Sequence, residues 1–261
     1  MSDILLHFVH ISDTHISHDP SYQQAELQRS PLPTAEKLVE KLNNLPFEPA
    51  FVLHTGDVVY NPDEEAYEYA REILGRIRWP VHYVPGNHDS AEMLQRVFLQ
   101  RSEIQPTWHY SFEVNGVQVI GLDSTGPAEP PSGTISEEQF SWLRGITESG
   151  DSHPLVIGVH HNTLAVGTPW LDSFARMANG NELHDALLPA RHRIRGVFFG
   201  HIHQNTQTLR DGILYSSALS SWYQLMAWPG QTDPSVDTAA QPGFSVVTIT
   251  ADQTYIRHHV L

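Results

Sequence analysis

Val81-His82-Tyr83-Val84 runs straight into Pro85-Gly86-Asn87-His88-Asp89. The first four residues are β-branched or aromatic, the composition of a short strand, and Pro-Gly ends it. The residues that follow put an amide, an imidazole and a carboxylate at a strand's carboxyl end, where open α/β sheets bind ligands. The pattern recurs along the chain. Ile11-Ser12-Asp13-Thr14-His15 closes the apolar run Leu5–Ile11, and His54-Thr55-Gly56-Asp57 closes Ala50–His54. Val159-His160-His161 closes Leu155–His160, and Phe199-Gly200-His201-Ile202-His203 closes Val197–Gly200. Asp-x-His or Gly-Asp alone is ordinary turn chemistry. One His among 17 means little, so His7, His10 and His54 read as structural. Gly-Asn-His-Asp and Gly-His-x-His carry more information, the latter because alternate residues on an extended segment share a face. Five apolar strands that each end in metal-type residues point to a single crevice.

Outward from these blocks, further strands are expected at His109–Val114, Val117–Leu122, Ile213–Ser216, Phe244–Ile249 and Thr254–His259. Helices are expected at Thr34–Leu45, Asp63–Ile77, Ala91–Phe98, Ser136–Ser149 and Glu182–Leu188. Ser136 and Gln139 fit a capping box, and Asn115-Gly116 between two alternating runs is a hairpin signal. The first half alternates strand and helix, whereas the second is richer in strands and hairpins. The whole reads as one α/β domain over 1–261, two sheets face to face with helices outside. Stretches 125–135, 161–180 and 227–243 are expected to shape a pocket, the first and last being loops by their Pro and Gly content. Trp170, Trp222, Tyr223 and Trp228 lie in or near them, each a potential stacking surface but each more ordinarily a packing residue.

Composition narrows the chemistry. There is no cysteine, which excludes disulfides, thiolate metal sites and cysteine nucleophiles, so any metal must sit on oxygen and nitrogen. The formal net charge is −15, and no basic stripe suits a nucleic-acid backbone. Arg191, His192, Arg193 and Arg195 cluster, and read as a solvated helix end. No apolar run is long enough for a bilayer. Met1-Ser2-Asp3 lacks a basic flank, so the N-terminal segment reads as a first strand rather than a signal peptide, and the cytoplasm is the default location.

The five blocks, in this order, resemble the calcineurin-like metallophosphoesterase superfamily, whose pattern is Asp-x-His, Gly-Asp, Gly-Asn-His-Asp/Glu, His, Gly-His-x-His. All are intact between Asp13 and His203. Within it, Leu122-Asp123-Ser124, Gly133, Ser136–Leu143, Trp170-Leu171-Asp172 and the Gln204 after His203 look most like the bacterial class III cyclic-nucleotide phosphodiesterase branch. Two stretches depart from the pattern: Asn162-Thr163 stands where prolines often follow the His pair, and 227–243 is long.

The resemblance implies the metallo-dependent phosphatase fold, a four-layer α-β-β-α sandwich of two mixed sheets. It implies one metal on Asp13, His15, Asp57 and His203, and a second on Asp57, Asn87, His160 and His201, with Asp57 bridging. His88 would face the leaving group, and Asp89 would orient His88 or be a plain turn residue. Asn87, His88, His161 and His203 are candidate substrate contacts, with His161 alternatively a neighbour of the ligands. Such mixed N/O sites suit two divalent or mixed-valence transition ions, Mn, Fe, Zn or Co. The implied reaction is hydrolysis of a phosphodiester, a 3′,5′-cyclic nucleotide or related small molecule, by a metal-bridging hydroxide. A phosphomonoesterase, a glycerophosphodiesterase and a non-catalytic scaffold are the rival readings. No nucleic-acid or membrane partner is expected, and the branch's frequent dimers imply a homo-oligomer.

Overall fold

The computed structural model describes residues 3–128 and 130–261; Met1 and Ser2 of the expected leading segment and Glu129 of the 125–135 loop lie outside the described residues. In chain order the strands are β1 (Ile4–Ile11), β2 (Phe51–His54), β3 (Val81–Tyr83), β4 (Tyr110–Val114), β5 (Val117–Gly121), β6 (Leu155–Gly158), β7 (Ile194–Phe199), β8 (Gln207–Arg210), β9 (Ile213–Ser217), β10 (Gln224–Leu225), β11 (Val236–Asp237), β12 (Gly243–Thr250) and β13 (Thr254–Val260). The α-helices are α1 (Pro31–Asn43), α2 (Glu64–Leu74), α3 (Ala91–Met93), α4 (Glu137–Thr147), α5 (Pro169–Phe174) and α6 (Gly180–Leu187).

Alternation along β1 sets the layering. Leu6 and Phe8 point one way and Val9 and Ile11 the other, because successive strand residues face opposite sides. Leu6 and Phe8 join Phe51, Leu53, Val119, Val156, Phe198 and Val247 in an apolar layer drawn from both sheets. Val9 and Ile11 pack beneath α1 and α2 with Leu38, Tyr67 and Ile73. On the far side, Ile120, Ile157 and Val197 meet Phe140 and Leu143 of α4 and Leu183 and Leu187 of α6. The order is therefore α-β-β-α, as expected. One sheet runs β13-β12-β1-β2-β3 and the other β4-β5-β6-β7-β9-β8. Both are mixed: β1-β2-β3 and β5-β6-β7-β9 pair in parallel, and β1-β12-β13, β4-β5 and β8-β9 pair antiparallel. No helix among the described residues is long and apolar enough to cross a membrane.

Several local expectations change. α1 begins at Pro31 rather than Thr34, since proline's fixed φ suits a first helical turn. The run 91–98 is one turn of α-helix continued by a π-helical turn over Leu94–Phe98. Ser136 caps α4 by accepting from the Gln139 amide N–H. The Gln139 side chain does not return to it; its amide pairs with both backbone groups of Asp123 instead. Arg193 is not part of a solvated end. It is 2% exposed and donates to the carbonyls of Ile146 and His153 and to Gln118 Oε1, bolting α4 to the sheet. Arg195 donates to the Thr250 and Ala251 carbonyls. Strand β8 (Gln-Thr-Leu-Arg) and the two-residue ladder β10–β11 show no apolar alternation, and α5 is a six-residue helix inside 161–180. Asn115-Gly116 forms the expected hairpin, both residues at positive φ.

Candidate metal centre

Parallel pairing places the carboxyl ends of β1, β2 and β3 side by side, and those of β6 and β7 opposite. Each ligand block leaves one of these ends. Backbone links then join the blocks: Asp13 N–H donates to the Gly56 carbonyl, His15 N–H to the Asp57 carbonyl, and Gly200 N–H to the His160 carbonyl. The His201 N–H donates to the Asp13 carboxylate at 3.1 Å, tying one sheet to the other.

Five of the seven expected ligands have positive φ: Asp13 (55°), His15 (44°), Asp57 (54°), His201 (68°) and His203 (47°). Side chains in this left-handed region cost on the order of 1–3 kcal/mol each and persist only where the surroundings fix them. The turns also need close backbone approach. A Cβ at Gly200 would lie 1.9 Å from Ser12 Oγ and 2.7 Å from Asp13 Oδ2.

The side chains converge as two groups that share Asp57. His15 Nε2 lies 3.0 Å from His203 Nε2 and 3.6 Å from Asp57 Oδ2, and His203 Nε2 lies 3.4 Å from Asp13 Oδ1. Opposite them, His160 Nε2 lies 3.4 Å from the same Asp57 Oδ2, 3.0 Å from Asn87 Oδ1 and 3.2 Å from His201 Nδ1. The other carboxylate oxygen, Asp57 Oδ1, accepts the His88 N–H at 2.8 Å.

Protons are scarce among these atoms. His160 Nδ1 faces the Thr55 carbonyl at 2.7 Å and His203 Nδ1 the Tyr223 carbonyl at 2.8 Å. A carbonyl only accepts, so each of these nitrogens carries a proton, and Nε2 is the ring atom turned inward to the cluster. Inward-facing lone pairs on two carboxylates, an amide and several imidazoles repel one another until a cation sits among them. Charge agrees. Burial would raise Asp13 and Asp57, but the neighbouring histidines outweigh it and hold both below the usual carboxylate range. Burial opposes charge on His160 as well, yet Asp57 and Asp13 push it up to about 9, so a proton stands in for the missing positive charge. Burial keeps His201 down at about 3 and His15 well below normal. Two buried carboxylates against one cationic ring leave a deficit that metal ions fit.

Two expectations are corrected. Asp89 does not hydrogen-bond His88. Its carboxylate accepts from the N–H groups of Val58, Val59 and Gly86 and from the Tyr67 hydroxyl, clamping the Asp57 turn to the Asn87 turn. The Tyr60 carbonyl orients His88, accepting from Nδ1 at 2.8 Å. His161 is fully buried, pairs with Ser124 Oγ at 2.7 Å, and is absent from the cavity lining. Full burial leaves its ring no surface on the cavity.

A cavity of about 190 Å³ opens onto the cluster. His15, Asp57, Asn87, His88, His201 and His203 line it, whereas Asp13 and His160 do not. Pro131 of the 125–135 stretch and Trp170 of the 161–180 stretch also line it, as do Tyr60, which packs against His88, and Tyr223, which packs against His203. The 227–243 stretch supplies no lining residue. It braces from behind, the Gln231 carbonyl accepting the Trp170 backbone N–H. Trp222 is buried 5.5 Å behind His15, and Trp228 is exposed outside the lining. Tyr60 and the backbone carbonyls of Thr55, Tyr60 and Tyr223 had no signature in the sequence, because carbonyls belong to every residue.

Residues 6–205 match the family pattern described as calcineurin-like phosphoesterase. The chain is 27% identical over 221 residues to a probable glycerophosphodiester phosphodiesterase of Arcobacter nitrofigilis, covering 83% of this chain and 79% of that one. It is 26% identical over 243 residues to a 3′,5′-cyclic adenosine monophosphate phosphodiesterase of Pseudomonas aeruginosa, covering 93% and 85%. Against the enzyme of the same name from Escherichia coli K12 the figures are 28% over 245 residues, covering 94% and 85%. Among solved structures, a dimetal phosphatase from Danio rerio superposes with a TM-score of 0.72 at 14% identity, covering 99% of this chain and 97% of that one.

Proposed function

The chain belongs to the calcineurin-like phosphoesterase family and is a metal-dependent phosphoesterase, and from that premise we propose that it hydrolyses a small phosphodiester, a 3′,5′-cyclic nucleotide or a close relative. The observation that carries this reading is the lining of the cavity, which includes no lysine or arginine among the described residues. A phosphomonoester is largely dianionic at neutral pH, since its second pKa is near 6, and would gain from cationic side chains around its free oxygens. A diester bears one negative charge and two organic arms. A lining that combines imidazoles with apolar side chains suits that distribution.

In this reading Asp13, His15, Asp57 and His203 hold one ion and Asp57, Asn87, His160 and His201 the other, with Asp57 Oδ2 turned to both groups. The nitrogen and oxygen donor set suits Mn, Fe, Zn or Co. Once bound, the ions supply the positive charge that polarises a phosphoryl oxygen and makes water acidic enough to attack near neutral pH. The chain's own groups do the rest. Asn87 and His203 border the space where the phosphoryl group would lie. His88 gives Nδ1–H to the Tyr60 carbonyl, so its Nε2 is left to deliver a proton, as the imidazolium, to a departing alkoxide. Asp89 acts only by holding the two turns together.

The test is turnover by the metal-reconstituted protein on 3′,5′-cyclic AMP, cyclic GMP, a glycerophosphodiester, and the monoesters AMP and glycerol 3-phosphate. Diesters are expected to exceed monoesters in kcat/KM. A monoester preference would overturn the proposal.

A further inference from the structure

Beside the ligand cluster the cavity has an apolar wall, formed by Pro131, Trp170, Leu171, Phe174, Ala175 and Leu225. None of these side chains offers a free hydrogen-bonding group. The one polar atom, Trp170 Nε1, donates to the Met226 carbonyl. Most of the wall is sunk into the fold: Leu171 is 1% exposed, Ala175 4% and Trp170 7%. Phe174 is different. It stands at the end of α5, borders the cavity, and is 52% exposed. Its backbone is held by the Ser132 hydroxyl, which donates to the Phe174 carbonyl at 2.9 Å, so the ring is carried on an anchored segment.

A large, half-exposed aromatic ring beside a ligand cavity is well suited to contact with another flat apolar face. It cannot read polar edges. Nor does it form a cage for a quaternary ammonium group, which needs several ring faces around one point; Trp170, the nearest ring on this wall, has its surface buried. We propose that Phe174 is the platform on which the nucleobase of the substrate stacks while its phosphoryl group faces the Asp57 cluster. This rests on the phosphodiester reading and narrows it. Selection is by planarity and area, so adenine and guanine are accepted alike, and diesters bearing glycerol, ethanolamine or choline gain nothing from the wall.

Steady-state constants of the metal-loaded enzyme on cyclic AMP, cyclic GMP and glycerophosphocholine test this in the wild type, Phe174→Ala, Phe174→Leu and Phe174→Tyr. Stacking of this kind changes affinity by about 5- to 150-fold. Phe174→Ala is expected to lower the kcat/KM ratio of each cyclic nucleotide over glycerophosphocholine by that factor, through KM rather than kcat. Phe174→Tyr is expected to restore it and Phe174→Leu not to. An unchanged ratio, an equal loss on all three substrates, or rescue by leucine would overturn the proposal. Should the wild type cleave only monoesters, the diester reading alone falls, and the platform is judged from the same ratio for AMP over glycerol 3-phosphate.

Discussion

Consider replacing Gly86 by alanine. The added Cβ would lie 2.2 Å from Asp57 Oδ1, 2.5 Å from the Asp57 backbone nitrogen and 2.8 Å from His160 Cε1. Carbon does not make non-bonded contacts this short, and two of the three atoms cannot swing aside without moving the shared ligand itself. Relief of roughly 1 Å must come either from the Asp57 carboxylate or from retreat of the 85–89 turn. Either route breaks the His88 N–H bond to Asp57 Oδ1 (2.8 Å), and the second also breaks the Gly86 N–H bond to Asp89 Oδ2 (2.9 Å). Hydrogen bonds to charged groups contribute about 1.5–3 kcal/mol each, so the loss is about 2–6 kcal/mol. For a chain of this length that lowers the melting temperature by on the order of 10 °C. Displacing Asn87 and His88 by about 1 Å should cost roughly 100-fold in turnover. The measurements are calorimetry of the metal-free protein, metal content per chain after reconstitution, and hydrolysis of an aryl phosphodiester. A Gly86→Ala protein with full metal content, an unshifted melting temperature and near-normal turnover would refute the reasoning, because the Asp57 and Asn87 turns would then not be in contact.

His88→Ala keeps the backbone N–H that binds Asp57, so metal content should hold while kcat on diesters with poor leaving groups falls about 10²–10⁴-fold and nitrophenyl diesters suffer far less; metal analysis showing depleted protein would make His88 a ligand instead. Burial pushes His10 and His54 down to about 3 from an ordinary 6.5. The unfolded chain therefore binds two protons that the folded chain refuses, and stability should fall as pH drops below 6.5, by about 2.7 kcal/mol per unit once both groups are fully charged in the unfolded state; urea titrations giving the same stability at pH 7 and pH 5 would contradict this. Gly145 lies on the exposed face of α4, where an added Cβ meets nothing within 4 Å, so Gly145→Ala should stabilise by about 0.5–1 kcal/mol without altering turnover; a lower melting temperature would show a contact or a backbone requirement at that position.

The layered fold was legible because β1, β2, β6 and β7 are short apolar runs ending in polar residues, and because α1, α2 and α4 have apolar faces long enough to show a period. The convergence of these strand-end imidazoles and carboxylates was legible for the same reason, whereas their division between two ions came from the family resemblance and is part of the proposal. Elements such as β8, β10, β11 and α5 were not, being too short or too polar for any periodicity, and with α5 went Phe174. Arg193 misled because a basic cluster is normally solvated, and only the fold supplies the carbonyls of Ile146 and His153 that let it go under. Asp89 misled by adjacency. Its neighbour in sequence is His88, but its partners are the backbone amides of Val58, Val59 and Gly86, which no side-chain pattern announces.

The positive φ values of Asp13, His15, Asp57, His201 and His203 also bear on how such a protein can change over time. Strain of about 1–3 kcal/mol at each is tolerated only while the chemistry is needed, and glycine, which adopts the same conformation freely, costs about 0.5–1 kcal/mol in chain entropy. Trading one of these side chains for glycine would also thin the crowd of mutually repelling lone pairs. A lineage freed from selection for turnover would thus drift toward a sturdier, inert shell, hardening as it forgot its reaction, and the same scaffold would be left ready for duties that need only its outer surface.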